Sequence, residues 1–399
     1  MRKPILLASP ARGFSLVELM VAILIGLIIS IGVVQIFGAT RATYQLDESL
    51  ARAQENGRFA LEFLHQDIRH AGYAGCKRDT TVTVFNDLSS VPGAGLFITG
   101  ISGAEFSGTG FGSTYSLAPA PLNTTSGWSP ALTSVTGTLG TPAGALPGTD
   151  VLVLQRMAPN SWALVPPYVD PVNVFLHPNF ISLVRVGMGS DGDVLLVADC
   201  RSAVAFRATA ISAIGAISHA VGPTANRCAR WTGGLDTANA AAEECVSAFD
   251  YTPVPATTAI GKLETVVFFV ANDDTADITN PRPTLYRRVS LATGDIVETT
   301  PLVEGVENFQ VLYGVDSVLP FDGVADSYVP ASGAVDFTRV VSVQIGLLVY
   351  GVNATGTAND TAFDTDLHDV AGTNIRPAPN STRKRRVFNT TIQLRNRSF

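Results

Sequence analysis

Residues 12–20 read Arg-Gly-Phe-Ser-Leu-Val-Glu-Leu-Met, and from Leu19 to Thr40 no side chain carries a charge. As a helix rising ~1.5 Å per residue, residues 19–40 span ~33 Å, enough to cross a bilayer. Arg2, Lys3 and Arg12 precede the apolar run, so the positive-inside rule places the N-terminus in the cytoplasm and the remainder outside. A conventional secretory signal has a shorter apolar core followed by a small-x-small cleavage site. The one downstream candidate, Phe37-Gly38-Ala39, opens on a bulky Phe, so cleavage there is not expected. A lone acid, Glu18, stands at the front of the run. A boundary residue would snorkel to the headgroups, but Phe14, Leu16 and Val17 come before it, so the apolar surface starts earlier. An acid inside a membrane-length helix is costly and usually functional.

Cut-site glycine, spacing, acid and long apolar run together resemble the class III leader of type IV prepilins and pseudopilins. In that pattern a short basic leader ends in Gly, the first mature residue is usually Phe, and Glu is the fifth. Here these are Gly13, Phe14 and Glu18. The resemblance implies cleavage between Gly13 and Phe14 by a prepilin peptidase and N-methylation of Phe14. It also implies that Glu18 pairs with the free N-terminal amine of its own chain or of a neighbour, setting axial register. A buried charge needs an opposite charge, and breaking a buried pair costs ~3–5 kcal/mol. Gly26, Gly32 and Gly38 interrupt the run. They are either the ordinary glycines of membrane helices or points of close packing and local unwinding.

Beyond Thr40 the pattern turns amphipathic. Leu46, Leu50, Ala53, Gly57, Leu61, Leu64 and Ile68 recur every three or four residues, with Asp47, Glu48, Arg52, Glu55, Arg58, Glu62 and Asp67 on the other faces. Glu48 and Arg52 form a supportive i,i+4 pair. Gly72 and Gly75 stop the helix. A helix over residues 14–71 is ~87 Å long at ~1.5 Å per residue, and its apolar stripe needs a sheet to cover it. Runs at 150–156, 194–198, 263–270, 284–289, 306–313, 339–350 and 386–394 read as strands. In the run at 339–350, Val341, Val343, Ile345, Leu347 and Val349 share a face. The expected fold is α+β: a pilin-like ladle, one long N-terminal helix packed on an antiparallel sheet with long loop insertions. Its parts are a leader (1–13), a membrane or filament-core half-helix (14–40), an amphipathic half-helix (41–75) and a periplasmic β-rich head (76–399). Residues 93–149 and 207–258 are dominated by small residues and Pro, and read as loops or subunit-specific contact surfaces.

The 399 residues are 15% charged with formal net charge −7, a balance that argues against a general nucleic-acid binder. Cys76, Cys200, Cys228 and Cys245 form an even set outside the membrane, where two disulfides are expected. Three pairings are open; Cys228 with Cys245 closes a short loop and leaves Cys76 with Cys200, and free buried thiols are the alternative. No CxxC or paired His supports zinc, and the five histidines show no metal spacing. No catalytic motif is present, so no enzyme is expected and no cofactor is required. Acidic turns at 272–277, 190–193 and 364–369 could offer oxygens to Ca²⁺ without completing an EF-hand. Arg383-Lys-Arg-Arg386 reads as a solvated loop before the last strand, with DNA contact as the sharper alternative.

Short stretches at 55–60, 70–76, 198–206, 312–316 and 391–396 are similar to PilW-type minor pilins. The chain is too long for a densely repeated major subunit. The resemblance implies a low-copy subunit that primes type IV pilus assembly from the inner membrane, near the tip. Its implied partners are the prepilin peptidase, other minor pilins, the major pilin and a tip adhesin. A J-like pseudopilin of a type II secretion system shares leader and architecture. A membrane-tethered enzyme or receptor is the alternative of another class.

Overall fold

The structure, a computed structural model, describes residues 15–75, 84–88, 99–132, 142–169, 173–181, 192–199, 203–212, 214–223, 225–228, 258–272, 282–291, 296–331, 335–351, 364–379 and 381–397. Helix α1 (Leu16–Arg69) has 54 residues, about 81 Å at ~1.5 Å each. It starts after Ser15, whose backbone is extended. It stops where the His70 N–H turns back to the Asp67 carbonyl at 3.0 Å and Gly72 adopts φ +69°, a left-handed conformation that costs other residues strain.

The strands then follow in order. The first are β1 (Val84–Asn86), β2 (Ile101–Phe106), β3 (Thr114–Ser116), β4 (Trp128–Ser129), β5 (Val151–Val169) and β6 (Asn173–Leu176). Next come β7 (Val194–Ala198), β8 (Ala203–Arg207), β9 (Ala210–Ile211), β10 (Ala216–Ser218), β11 (Ala259–Asn272), β12 (Pro283–Leu291) and β13 (Ile296–Glu304). The last are β14 (Val306–Val315), β15 (Ser327–Pro330), β16 (Val340–Tyr350), β17 (His368–Val370), β18 (Thr373–Arg376) and β19 (Arg385–Gln393). Among the described residues they form three sheets. The largest has 12 strands along the path β1-β8-β7-β11-β5-β6-β10-β9, with β12–β13 joined at β11 and β2–β4 at β5. A four-stranded antiparallel sheet runs β15-β14-β16-β19, and a small one runs β17-β18-β3. Pairing is antiparallel except at β1–β8 and β18–β3.

The second half of α1 lies on the four-stranded sheet and closes one core. Ala53, Ala60, Leu64 and Ile68 from the helix meet Phe309, Val311, Tyr313, Val343, Ile345, Leu347, Val349 and Ile392 from that sheet, and Leu152, Leu154, Val266 and Phe268 from the large one. Full burial of each large aliphatic or aromatic side chain contributes ~1.5–3 kcal/mol, so this shared core fastens the helix to both sheets.

The stripe differs from the sequence expectation in two ways. Its centre is made of small residues, with Ser49, Ala53, Gly57 and Ala60 buried while Leu46, Leu50 and Leu61 sit at its margins. The reason is a close approach: a Cβ on Gly57 would lie 2.2 Å from Phe388 Cε2. Asp67, expected on an outer face, is 7% exposed.

Every run read as a strand is one, and β7 has the bounds expected of it. The small-residue zones hold more structure than expected: β2, β3 and β4 lie in the first, β9 and β10 in the second. Ile101-Ser-Gly-Ala-Glu-Phe106 lacks β-branched alternation because it is packed against Tyr313, whose hydroxyl would be 1.9 Å from a Cβ at Gly103.

Candidate assembly site

In the first half of α1, Leu16, Leu24, Ile28, Val34 and Phe37 are 74%, 61%, 62%, 69% and 74% exposed, so the head covers none of this surface. This is the one helix among the described residues long and apolar enough to span a membrane. Its hydroxyls are satisfied inside the helix, as an apolar solvent demands. Ser30 Oγ donates to the Gly26 carbonyl and Thr40 Oγ1 to the Ile36 carbonyl, each at 2.8 Å. A Cβ on Gly26, Gly32 or Gly38 would have no neighbour within 4 Å. These glycines therefore serve no packing within the described chain. Glu18 lies in the first turn and is exposed. Among the described residues no cation pairs with it. Its place at the helix N-terminus suits a negative charge, and a positive group there has to come from beyond the described residues or from another molecule.

The far end of α1 is held by polar contacts. The Gly72 N–H donates to the Gln155 carbonyl at 2.8 Å, and Asn396 Nδ2 donates to the Ala71 carbonyl at 3.0 Å. Asp67 binds two arginines, Arg156 Nη1 at 2.7 Å and Arg287 Nε at 2.5 Å, and Arg156 Nε lies 3.8 Å from Glu264 Oε2. Burial raises the Glu264 carboxyl, against the pull of both arginines. Beside this network a cavity of about 720 Å³ opens between the helix and the large sheet, lined by Phe63, His70, Tyr73, Met157, Arg287 and Leu302. Sequence reading missed the network, although one signal for it existed. Asp67 falls three residues after Leu64 and next to Ile68, inside the apolar stripe.

A second buried acid site joins the two larger sheets. Asp150 accepts the Val311 N–H at 2.9 Å and the Phe106 N–H at 3.3 Å, and Thr109 Oγ1 donates to Glu105 at 2.9 Å. Burial, then the neighbouring Glu105 charge, drives the Asp150 carboxyl well above its ordinary range. Burial also raises Glu105, and the two carboxyls are hydrogen-bonded to each other.

Gly13 and Phe14, with the proposed cut between them, lie outside the described residues, as do Cys76, Cys200 and Cys245. Cys228 is buried and disulfide-bonded, packed with Leu195, Phe206 and Ile217. The pairing of Cys228 with Cys245 and of Cys76 with Cys200 is retained as a proposal. Among the described residues no group of three His, Cys, Asp or Glu could hold a metal. Asp364, in one acidic turn, is committed to Arg385 at 3.0 Å and His368 at 3.1 Å.

The basic run is not simply a solvated loop. Arg385 is buried and bonds Glu307 at 2.5 Å, while Arg383 reaches Glu307 at 3.2 Å and stacks on Tyr350 with its guanidinium carbon 4.4 Å from the ring centre. Two of its four cations are thereby consumed inside the head.

Comparison with protein families gives two matches. Residues 9–34 match the prokaryotic N-terminal methylation motif, covering the leader end and the exposed half-helix that carries Glu18. Residues 267–396 match type IV pilus-assembly protein W, covering the span from β11 through β14, β16 and β19 that receives the helix. No curated protein and no solved structure matches the chain. The chain is thus similar to PilW-type pilins of the type IV pilus at both ends, with the methylation motif over the start of α1 and the pilus-assembly match over the sheet that receives its second half.

Proposed function

We propose that this minor pilin primes type IV pilus assembly as part of a complex of minor pilins, near the filament tip and without catalysis of its own. The observation that carries the reading is the uncovered apolar half-helix with Glu18 in its first turn. Only lipid or the helices of other pilins can cover such a surface. The prepilin peptidase cuts after Gly13 and exposes the Phe14 amine, and Glu18 captures that amine or its neighbour's as subunits leave the inner membrane. A buried carboxylate is stable only when paired, so the pair fixes how far each helix slides past the next. The bulk of the head favours a few copies at one end over repetition along a fibre. The N-terminus is cytoplasmic before processing and the head periplasmic.

The test is deletion of the gene in its native bacterium, with surface pili counted and twitching and exoprotein secretion measured. Loss of pili and twitching, restored by the wild-type chain and not by Glu18→Ala, is the expected result. Normal piliation with lost secretion would instead assign the chain to a type II secretion system. Normal behaviour in both would overturn the reading.

A further inference from the structure

The loop at residues 316–326, between β14 and β15, is built to present apolar side chains. Val318, Leu319 and Val324 are 60%, 74% and 63% exposed. The backbone beneath them is held by three aspartates. Asp316 accepts the Gly323 N–H at 2.8 Å, Asp326 accepts the N–H groups of Ser317 at 2.7 Å and Val318 at 2.8 Å, and Asp322 accepts that of Val324 at 2.9 Å. These bonds also hold the Asp326 carboxyl below its ordinary range. Phe321 is pinned under Arg339, whose guanidinium carbon lies 4.0 Å from the ring centre. A cleft of about 500 Å³ opens beside the loop, lined by Val315, Leu319, Phe321, Val329 and Val335 among others. An apolar tip so firmly ordered loses little entropy on binding, and a cluster of exposed aliphatic residues rimmed by polar ones marks an interaction site.

Its position limits the occupant. Phe309 of β14 pairs across Leu347 with Phe388, which sits against Gly57 of the helix. Val315 at the other end of β14 pairs with Val340, beside the Leu394 and Asn396 that reach Val341 and Ala71. The strand thus runs away from the membrane half of α1, and the loop projects from the remote end of the head. Asp322, Asp326 and Asp336 edge the tip, with Arg339 partly offsetting Asp336 at 3.3 Å. A lipid surface is on the wrong side and carries the wrong charge. A second copy meeting this patch face to face would set acid against acid.

We propose that this loop and cleft dock a different pilus subunit, one that presents an apolar face edged by lysine or arginine and sits beyond this head. The inference rests on the pilus-assembly reading above and adds a surface and a partner chemistry to it.

Photo-crosslinking in piliated cells tests it, with the full chain carrying p-benzoylphenylalanine in place of Leu319 or, as a control, of Leu122, which is 67% exposed elsewhere on the head. The expected result is a Leu319-position adduct to one other pilus subunit, mapped by mass spectrometry to a Lys- or Arg-edged face, with little adduct from position 122. Val318→Ser should cut that yield by about tenfold. Asp322→Asn keeps the loop's acceptor but removes the charge, and should cut it by about threefold. No adduct, an adduct to a second copy, equal yield at both positions, or yields indifferent to both substitutions would overturn the inference. The deletion strain's pili are counted in parallel. Pili lost on deletion with no adduct refutes this surface alone, whereas pili unaffected by deletion refutes the assembly reading itself.

Discussion

Gly57→Ala should destabilise the head even though it improves the helix. In an exposed helix interior, Ala is favoured over Gly by ~1 kcal/mol. Here the new Cβ would lie 2.2, 2.4 and 2.6 Å from Cε2, Cζ and Cδ2 of Phe388. Carbon atoms in contact rest at ~3.5–4.0 Å, so ring or helix must give way by more than ~1 Å. Phe388 packs against the shared core, and overpacking of this kind costs ~1–3 kcal/mol. The net expectation is a loss of about 1 kcal/mol, the overpacking cost less the propensity gain. With Phe388→Ala the obstacle is gone, and the same Gly57→Ala change should then stabilise by ~1 kcal/mol. The coupling of about 2 kcal/mol is read from a double-mutant cycle, by guanidinium unfolding of residues 41–399 followed by circular dichroism with a common m-value. A gain from Gly57→Ala in both backgrounds, or strict additivity, would refute the account of small residues admitting the sheet to the helix.

Asp67→Ala removes the closest carboxylate from Arg156 and Arg287 and should cost about 3 kcal/mol in the same unfolding assay, the low end for a buried pair because Glu264 remains 3.8 Å from Arg156 and Arg287 keeps some exposure; a change under about 0.5 kcal/mol, the size of an ordinary surface substitution, would remove the network from the stability account. The Glu105–Asp150 pair makes a pH prediction with a definite sign. Both carboxyls are raised in the folded state, so their contribution is fully present below the unfolded carboxylate value and is lost as pH rises through the raised folded values. Glu105→Gln should flatten that decline, and an unaltered slope would show that the pair of buried carboxyls is not its source. Gly13→Ala should leave an uncut precursor by intact mass, and a normal N-terminus at Phe14 in that variant would count against the leader. Glu18→Ala should be cut normally yet assemble poorly; undiminished pili would strip the carboxylate of its role.

The long helix, its two unlike halves, the leader and the main strands are legible from residues alone. Each rests on chemistry that repeats locally: a charge-free run long enough for a bilayer, a three-four periodicity, a glycine before a Phe. What sequence could not place is what depends on contacts between distant segments. Asp67 is charged and so read as outward, yet Arg156 and Arg287 come in from β5 and β12 to meet it. The run at 383–386 read as solvated until Glu307 and Asp364 closed on Arg385. Strand β2 looked like loop because its Gly103 answers Tyr313, more than two hundred positions away. Local patterning sets where the chain is helical and where that helix is apolar enough to cross a membrane. Only the fold decided which charges are buried, because a charge enters a core when its partner does, and partners are chosen in space.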